Sequence, residues 1–265
     1  MKKLISLTLA ILMLALCVSA TGCSSKVKTL ADVKAAGELV IATSPDFPPF
    51  ESLGEGNEVV GIEIDILNAV CEKLGVKLTI KRMDFESVIP GVTSGKYDVG
   101  VSGITITEER AKNVLFTVPY CLAQQAIVVT ADSAIASKAD LENKTVSVQK
   151  GTTADIFCSA QGYTVKAFSG NTEAELALTS GKVDAWVIDD LTAVEMVKQY
   201  NEDQGKEALI ILPEAMTNEP YAFAMKLGSD ELCAEINKVL NEMIADGTIA
   251  SLFEKYGAPY TSPVN

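Results

Sequence analysis

Two charged side chains stand at positions where a small zwitterion could be held. Arg110 follows a predicted strand and offers a planar set of N–H donors that matches a carboxylate. Asp189 follows another predicted strand and can accept hydrogen bonds from an ammonium group. Opposite charges beyond the ends of two strands indicate a site for a molecule that carries both a carboxylate and an ammonium group.

Polar, small and aromatic residues accompany this pair at other predicted strand ends. Hydroxyl groups can donate to a carboxylate, aromatic rings can cover an apolar part, and glycine lets the backbone approach a ligand. The first N–H groups of a helix are further free donors. The predicted ligand-binding residues are Ser44, Asp46, Phe47, Phe85, Ser102, Gly103, Thr105, Arg110, Gln149, Thr152, Thr153 and Asp189.

Each of these residues also fits a purely structural role. Arg110 could pair with Glu109 or with another surface acid, and Phe47 and Phe85 could belong to the core. The segment 151–153 could be only the start of a helix, where a threonine caps the first turn. Their joint placement beyond the ends of several strands favours a binding site.

The composition excludes several kinds of chemistry. The 265 residues include no histidine, which excludes Ser-His-Asp and Cys-His catalysis and removes a common zinc ligand. Neither a phosphate-binding loop nor a G-x-G-x-x-G dinucleotide turn is present. We therefore expect no metal and no cofactor. The formal net charge of −13 argues against a nucleic-acid partner.

Strands and helices alternate in two successive series, which predicts an α/β fold. A β-α-β-α-β order implies a parallel or mixed sheet with helices packed on it. The first series has predicted strands at 38–42, 77–80 and 97–102 and helices at 61–74 and 85–94. The second has predicted strands at 145–148, 165–168 and 183–188 and helices at 153–160 and 173–180.

A short repeat suggests that the two series share one plan. Residues 93–98 and 179–184 both read Thr-Ser-Gly-Lys-x-Asp, at a helix end that turns into a strand. Extended segments at 121–129 and 217–225 predict two crossings between lobes, and an amphipathic helix at 229–256 is expected to return to the first lobe. The predicted lobes comprise 31–125 with 219–265, and 126–218. Two crossings form a hinge that permits closure around a ligand.

The N-terminal 22 residues have the three-part layout of a secretory signal. A basic start and an apolar run over 4–18, shorter than the roughly 20 residues that span a bilayer, precede small residues and Cys23. This ending is similar to the lipobox of bacterial lipoproteins, although Ala20 replaces the usual leucine. The likeness implies cleavage after residues 1–22, lipid on Cys23 and a tether over 23–30. An N-terminal membrane anchor and cleavage at a non-lipid site are the alternatives.

The four cysteines beyond the leader and Cys23 are widely spaced in apolar stretches. Export permits disulfides, but the absence of C-x-x-C spacing favours buried free thiols. These cysteines are Cys71, Cys121, Cys158 and Cys233.

Several stretches together resemble bacterial extracellular solute-binding proteins of family 3, the amino-acid receptors of ABC importers. The resemblance runs from about residue 39 to residue 256. It is carried by 43–51, 61–65, 84–85, 89–90, 102–107, 109–110, 116–120, 151–153, 184–185 and Asp189. It implies a two-lobed, periplasmic-binding-protein-like fold of type II, with two sheets joined by two hinge crossings.

The resemblance assigns roles to the candidate residues. Those expected at the ligand carboxylate are Arg110, Thr105 and the backbone near Thr153. Those expected at the ammonium group are Asp189 and the Ser102–Gly103 segment. The rings of Phe47 and Phe85 are expected to flank the side chain of the ligand.

Two departures from the family pattern concern the side chain of the ligand. Ser44 stands where many members have aspartate, and Asp46, two residues later, could replace that group for a basic ligand. Gly103 stands where several binders of basic amino acids have serine. We expect a free L-amino acid with a polar or basic side chain.

The expected function is therefore the extracytoplasmic receptor of an amino-acid importer, without catalysis. The resemblance implies a permease as partner and a monomeric protein, lipid-anchored at the outer face of the cytoplasmic membrane or in a periplasm. Two alternatives remain. A few relatives of this fold are exported cyclohexadienyl or arogenate dehydratases, and others are ligand-sensing receptor domains.

Overall fold

The computed structural model describes residues 27–214 and 216–263. The predicted leader over 1–22 and the candidate lipidation site Cys23 lie outside these residues. At the start of the described chain, the Lys28 ammonium contacts Asp98 Oδ1 at 2.8 Å, so the end of the predicted tether lies against the body of the protein. None of the helices in the described residues is long and apolar enough to cross a membrane.

Fourteen strands and nine α-helices make up the described chain. The strands are β1 (Glu38–Thr43), β2 (Ser52–Leu53), β3 (Val59–Val60), β4 (Lys77–Arg82), β5 (Val99–Gly100), β6 (Val114–Phe116), β7 (Cys121–Ala123), β8 (Gln125–Thr130), β9 (Thr145–Gln149), β10 (Thr164–Phe168), β11 (Ala185–Asp189), β12 (Leu209–Ile211), β13 (Glu219–Tyr221) and β14 (Ala224–Lys226). The helices are α1 (Leu30–Ala36), α2 (Ile62–Leu74), α3 (Phe85–Thr93), α4 (Glu108–Ala111), α5 (Thr153–Ala160), α6 (Asn171–Thr179), α7 (Asp190–Gln204), α8 (Asp230–Ala245) and α9 (Thr248–Lys255).

Two five-stranded sheets of the same design form the centres of two lobes. The first has the order β4-β1-β5-β14-β6 and the second β10-β9-β11-β8-β12. In each, three neighbouring strands run parallel and the remaining two join by antiparallel pairing. The mixed α/β fold with two sheets is thereby confirmed.

The two crossings between the lobes pair with each other. Strands β7 and β13 form a separate antiparallel ribbon, in which Cys121 faces Tyr221 and Ala123 faces Glu219. Beyond the ribbon, β8 enters the second sheet and β14 enters the first. Because the chain passes from one sheet to the other at this ribbon, we propose lobe boundaries at 31–125 with 219–265 and at 126–218.

The repeated Thr-Ser-Gly-Lys-x-Asp turns have the same structural role in both lobes. Gly95 and Gly181 have φ values of 73° and 69°, the left-handed conformation that glycine adopts at low cost. The aspartate that follows each turn accepts a hydrogen bond from the neighbouring parallel strand: Asp98 Oδ2 from Val40 N at 2.8 Å, and Asp184 Oδ2 from Thr145 N at 2.7 Å. The turn thus anchors the incoming strand to its neighbour.

Several predicted element bounds were wrong. The strand predicted over 97–102 is reduced to β5, because residues beyond Gly100 leave the sheet and turn into the interlobe cavity described below. The tail predicted as mostly helix over 229–256 is helical, in two parts, since Gly247 with φ of 80° separates α8 from α9. The helix predicted over 173–180 begins at Asn171, and α7 was not predicted at all.

The four cysteines in the described residues are buried and free. Burial raises the pKa of the Cys71 thiol to about 11 and that of Cys158 to about 12. At neutral pH these thiols are therefore protonated and weakly reactive.

Candidate functional site

The carboxyl ends of the parallel strands in both sheets meet at one interlobe cavity. This is where open α/β sheets bind ligands. The space there is small, about 250 Å³ including its opening to solvent. Ten of the twelve predicted ligand-binding residues line it: Phe47, Phe85, Ser102, Gly103, Thr105, Arg110, Gln149, Thr152, Thr153 and Asp189.

Arg110 is held at the first-lobe wall by the short helix α4. Thr107 caps this helix through a hydrogen bond from Arg110 N to its Oγ1, at 3.1 Å. The guanidinium donates to the Thr105 carbonyl at 3.0 Å and, across the lobes, to the Gly151 carbonyl at 3.2 Å. It pairs with no acid in the described residues, since Glu109 instead contacts Lys112 at 2.6 Å.

The ring of Phe85 supports the same guanidinium from one side. Arg110 Cζ lies 5.5 Å from its centroid, within the range of a cation–π contact. Burial lowers the pKa of Arg110, while Glu219 and Asp189 oppose that change. Because an arginine pKa starts far above neutral, the group stays charged and can meet a carboxylate.

Asp189 ends β11 and faces the cavity from the second lobe. Its side chain is 7% exposed, and its Oδ1 has no hydrogen-bond partner in the described residues. Burial, and then the nearby Glu219, raise the pKa of Asp189 to about 7. A buried carboxylate with a free oxygen is unfavourable by itself and is stabilised by an incoming cation.

The remaining polar lining is ordered by local hydrogen bonds. Thr152 caps α5 by accepting from Asp155 N at 3.2 Å, and its own hydroxyl donates to the Gln149 carbonyl at 2.7 Å. Thr153 Oγ1 accepts from Gln125 Nε2 at 3.2 Å. The segment 151–153 therefore starts a helix and also lines the cavity, so the structural and ligand-binding interpretations are compatible.

The two predicted aromatic contacts are at once core and cavity wall. Phe47 stacks on Phe50, with ring centroids 5.6 Å apart, and is 6% exposed. Gly103, with φ of 53°, lies directly against Phe47, since a Cβ added there would come 2.4 Å from Cε1 of the ring. Glycine is therefore required at this position by both backbone and packing.

Ser44 and Asp46 do not line this cavity. They line a neighbouring open cleft of about 810 Å³, together with Arg82, Asp84 and Glu173 among others. Ser44 Oγ donates to Asp46 Oδ1 at 2.9 Å. Burial raises the pKa of Asp46, and the hydrogen bond from Asn171 N opposes this rise.

Two buried glutamates, to which the sequence analysis assigned no role, support the cavity wall from behind. Glu63 accepts from Gly103 N at 3.0 Å and from the Tyr120 hydroxyl at 2.5 Å. Glu51 accepts from Ser102 Oγ at 2.8 Å. Burial and the neighbouring Glu63 hold the pKa of Glu51 well above its usual range. The sequence indicated this network only through the placement of two acidic residues inside otherwise apolar segments.

Within the described chain, no group of three or more histidine, cysteine or acidic side chains could hold a metal ion. The site thus offers one cationic group, one carboxylate with a free oxygen, hydroxyls and two aromatic faces. These groups suit recognition of a small zwitterion between the lobes.

Comparison with known proteins gives the family. The sequence model of bacterial extracellular solute-binding proteins, family 3, matches residues 39–259. The chain belongs to this family. ABC transporter arginine-binding protein 1 of Escherichia coli is 31% identical over 84% of this chain and 91% of its own length.

Solved structures of amino acid-binding proteins superpose on most of this chain. A mutant of ArgBP from T. maritima gives a TM-score of 0.80 at 38% identity, over 86% of this chain and 98% of that one. The ancestral amino acid-binding protein AncCDT-1, described as a precursor of cyclohexadienyl dehydratase, gives 0.77 at 33% identity, over 86% and 98%. The periplasmic-binding-protein-like fold expected from the sequence is confirmed.

Proposed function

We propose that this chain is the substrate-binding component of an amino-acid ABC importer and holds a free L-amino acid in the interlobe cavity. The observation that carries the proposal is that Arg110 and a buried Asp189 with a free Oδ1 line the same cavity. One group meets the α-carboxylate and the other the α-ammonium. Membership in a family of solute-binding proteins supports it.

The ligand couples the lobes because its two charges are held from opposite sides. Arg110 and Phe85 belong to the first lobe, whereas Asp189 and Thr153 belong to the second. Closure is then favoured by the difference between the contacts that the ligand makes in the closed and open states. The direct bond from Arg110 to the Gly151 carbonyl helps to hold the closed arrangement.

A screen of ligands tests the proposal. Purified protein is heated with each of the twenty amino acids and with cystine. A ligand at one hundred times its dissociation constant should raise the free energy of unfolding by about 2.7 kcal/mol, visible as a higher melting temperature. No shift with any of these compounds would overturn the proposal.

We propose further that the bound molecule is released unchanged. The likeness to AncCDT-1 favours a dehydratase as the second candidate. That chemistry needs a general acid at the substrate, and prephenate, which has no ammonium group, would leave Asp189 without a cation to accept from it. Incubation with prephenate or arogenate, followed by chromatography, distinguishes the two, because turnover of either compound would establish the enzyme.

We also propose that Cys23 carries lipid and anchors the protein outside the cytoplasmic membrane, beside its permease. The small residues before Cys23 support this assignment. Intact-mass analysis of the protein extracted from a bacterial host tests it. Replacing Cys23 with serine should release the protein from the membrane fraction, and an unchanged distribution and mass would contradict the lipid anchor.

A further inference from the structure

A hydrogen-bonded group of four side chains meets the interlobe cavity at Gln149. We call it the partition, and it consists of Ser44, Asp46, Gln149 and Asn171. Asp46 Oδ2 accepts from Asn171 N at 2.6 Å, and both of its oxygens lie 3.3 Å from Gln149 Nε2. Asp46 Oδ1 also accepts from Ser44 Oγ at 2.9 Å. Every oxygen of this carboxylate therefore has a protein partner.

The partition separates two spaces of different kinds. Gln149 lines the enclosed cavity, whereas Ser44 and Asp46 line the open cleft beyond it. Asn171 closes the group, since its Nδ2 donates to Gln149 Oε1 at 3.2 Å and to the Asp46 carbonyl at 3.4 Å. A longer ligand side chain that extended from the cavity toward the cleft would contact these hydrogen-bonded groups first.

The bonds that Asp46 makes with Gln149 and Asn171 also join the lobes. Asp46 follows β1 in the first sheet, Gln149 ends β9 in the second, and Asn171 begins α6. The contact is close: a Cβ added to Gly170 would come 2.8 Å from Asp46 Oδ2. A carboxylate that accepts from the first N–H of a helix makes a charge-assisted hydrogen bond. Its negative charge also lies at the positive end of the helix dipole, which stabilises it.

We propose that Asp46, through the partition, locks the closed state and limits the ligand to amino acids whose side chains are uncharged and short enough to end at Gln149. This inference rests on the proposed function and names its substrate class. A cationic side chain of arginine length would have to break the bonds of Asp46 to Asn171 and Gln149. Asp46 is then a specificity-determining residue, which acts without touching the ligand.

The test compares affinities for L-serine, L-glutamine and L-arginine by calorimetry in the wild type and in Asp46→Ala. We expect the wild type to bind serine or glutamine at least about tenfold more tightly than arginine, since this difference corresponds to one lost buried polar bond. Asp46→Ala should weaken the preferred ligand about tenfold, because closure loses its lock. It should reduce the preference over arginine by a similar factor, because the cavity then opens into the cleft.

The matched control is Glu86→Gln, which removes the charge from another contact between the lobes. Glu86 pairs with Lys150 at 2.8 Å, but both side chains are substantially exposed and the pair does not border the cavity. Such a pair contributes little, so affinities should change less than about threefold and the preference should stay constant. Asp46→Asn, which keeps the side-chain shape, replaces Asp46→Ala if the latter does not unfold cooperatively, and the same directions are expected.

Two results would overturn the inference while leaving the proposed function intact. One is tighter binding of arginine than glutamine by the wild type, with a selective loss of arginine in the Asp46 variants, which would make Asp46 a side-chain contact. The other is an unchanged preference in both variants. Absence of binding of all amino acids would instead overturn both proposals.

Discussion

At the scale of single residues, the interlobe cavity is organised by charge. Arg110 and Asp189 are both buried, and Arg110 keeps its charge, whereas burial and Glu219 raise the pKa of Asp189 so that an incoming cation is needed to stabilise its ionised form. The backbone carbonyls of Thr105 and Gly151 orient the guanidinium without neutralising it. A ligand that carries both charges can therefore stabilise both groups at once.

Removing either charge should abolish tight binding. Replacing Arg110 with alanine or Asp189 with asparagine leaves one buried ligand charge without its partner, which costs about 2–5 kcal/mol. Calorimetry should show affinity reduced about thirtyfold or more. Arg82→Ala is the control, because Arg82 is exposed and bonds to Asn57 away from the cavity. Unchanged affinity in both site variants, with intact folding, would contradict the assignment.

The raised pKa of Asp189 predicts proton release on binding. In the ligand-free structure with its lobes in contact, this carboxyl group has a pKa of about 7, so it is largely protonated at pH 6. A bound ammonium group favours the ionised form, and binding then releases a proton. Affinity should rise from pH 5 to pH 7 and level off above that.

The raised pKa of Asp189 also makes the free energy of unfolding depend on pH. The pKa of Asp189 with the lobes in contact exceeds the unfolded value of about 3.9, so this ligand-free form loses stability as pH rises from about 4 to 7. Ligand should offset this loss. Calorimetry at pH 6 in buffers of different ionisation heat measures the released proton, and a binding heat independent of buffer would rule out the account of Asp189.

Sequence reasoning found the cavity residues but not all of their surroundings. Arg110 and Asp189 could be predicted because their positions follow strands, and parallel strands bring their carboxyl ends together. The position of Asp46 could not be predicted, because its partner Asn171 lies 125 residues away and belongs to the other lobe. The support that Glu51 and Glu63 give to the cavity wall likewise depends on contacts between residues 51 and 40 positions apart.

At the scale of elements, turns decide how the cavity wall is shaped. The chain leaves β5 after two residues, and Gly103 then places its backbone against Phe47 and its N–H on Glu63. A pattern of apolar residues predicts where a strand runs, but it does not report where a neighbouring side chain forces the backbone out of the sheet. The predicted strand over 97–102 was too long for this reason.

Gly103 should tolerate alanine much less well than another left-handed glycine. Gly162 has φ of 77° and nothing within 4 Å of an added Cβ, so Gly162→Ala should cost only the backbone penalty of about 1 kcal/mol. Gly103→Ala adds a clash with Phe47, typically a further 1–3 kcal/mol, and should weaken ligand binding. Urea unfolding and calorimetry measure both effects, and equal costs for the two variants would contradict the packing argument.

At the scale of the whole molecule, two lobes of one design are joined by a two-stranded ribbon. The two sheets share strand order and strand direction, and each receives one strand from a crossing. The repeated turn at 93–98 and 179–184 was a sequence indication of this duplication. The hinge itself could be predicted only as extended segments, because its pairing joins residues about one hundred positions apart.

Closure should be visible in solution. The lobes contact each other here through bonds that include Arg110 to Gly151 and Asp46 to Asn171. Small-angle X-ray scattering should give a smaller radius of gyration with ligand than without it. Arg110→Ala should show no decrease at ligand concentrations that saturate the wild type. An identical radius for the free and bound wild type would exclude ligand-coupled closure.

Recognition of both charged ends of a free amino acid is the central claim, and one calorimetric experiment tests it most directly. The best ligand from the amino-acid screen is titrated beside its carboxamide and its N-acetyl derivative, which keep the side chain and lose one charge each. We predict micromolar or tighter binding of the free amino acid, about −8 kcal/mol or more favourable. Each blocked form should bind at least about thirtyfold more weakly, because Arg110 or Asp189 then stays unpaired. Equal affinity for the free and blocked forms would contradict the claim.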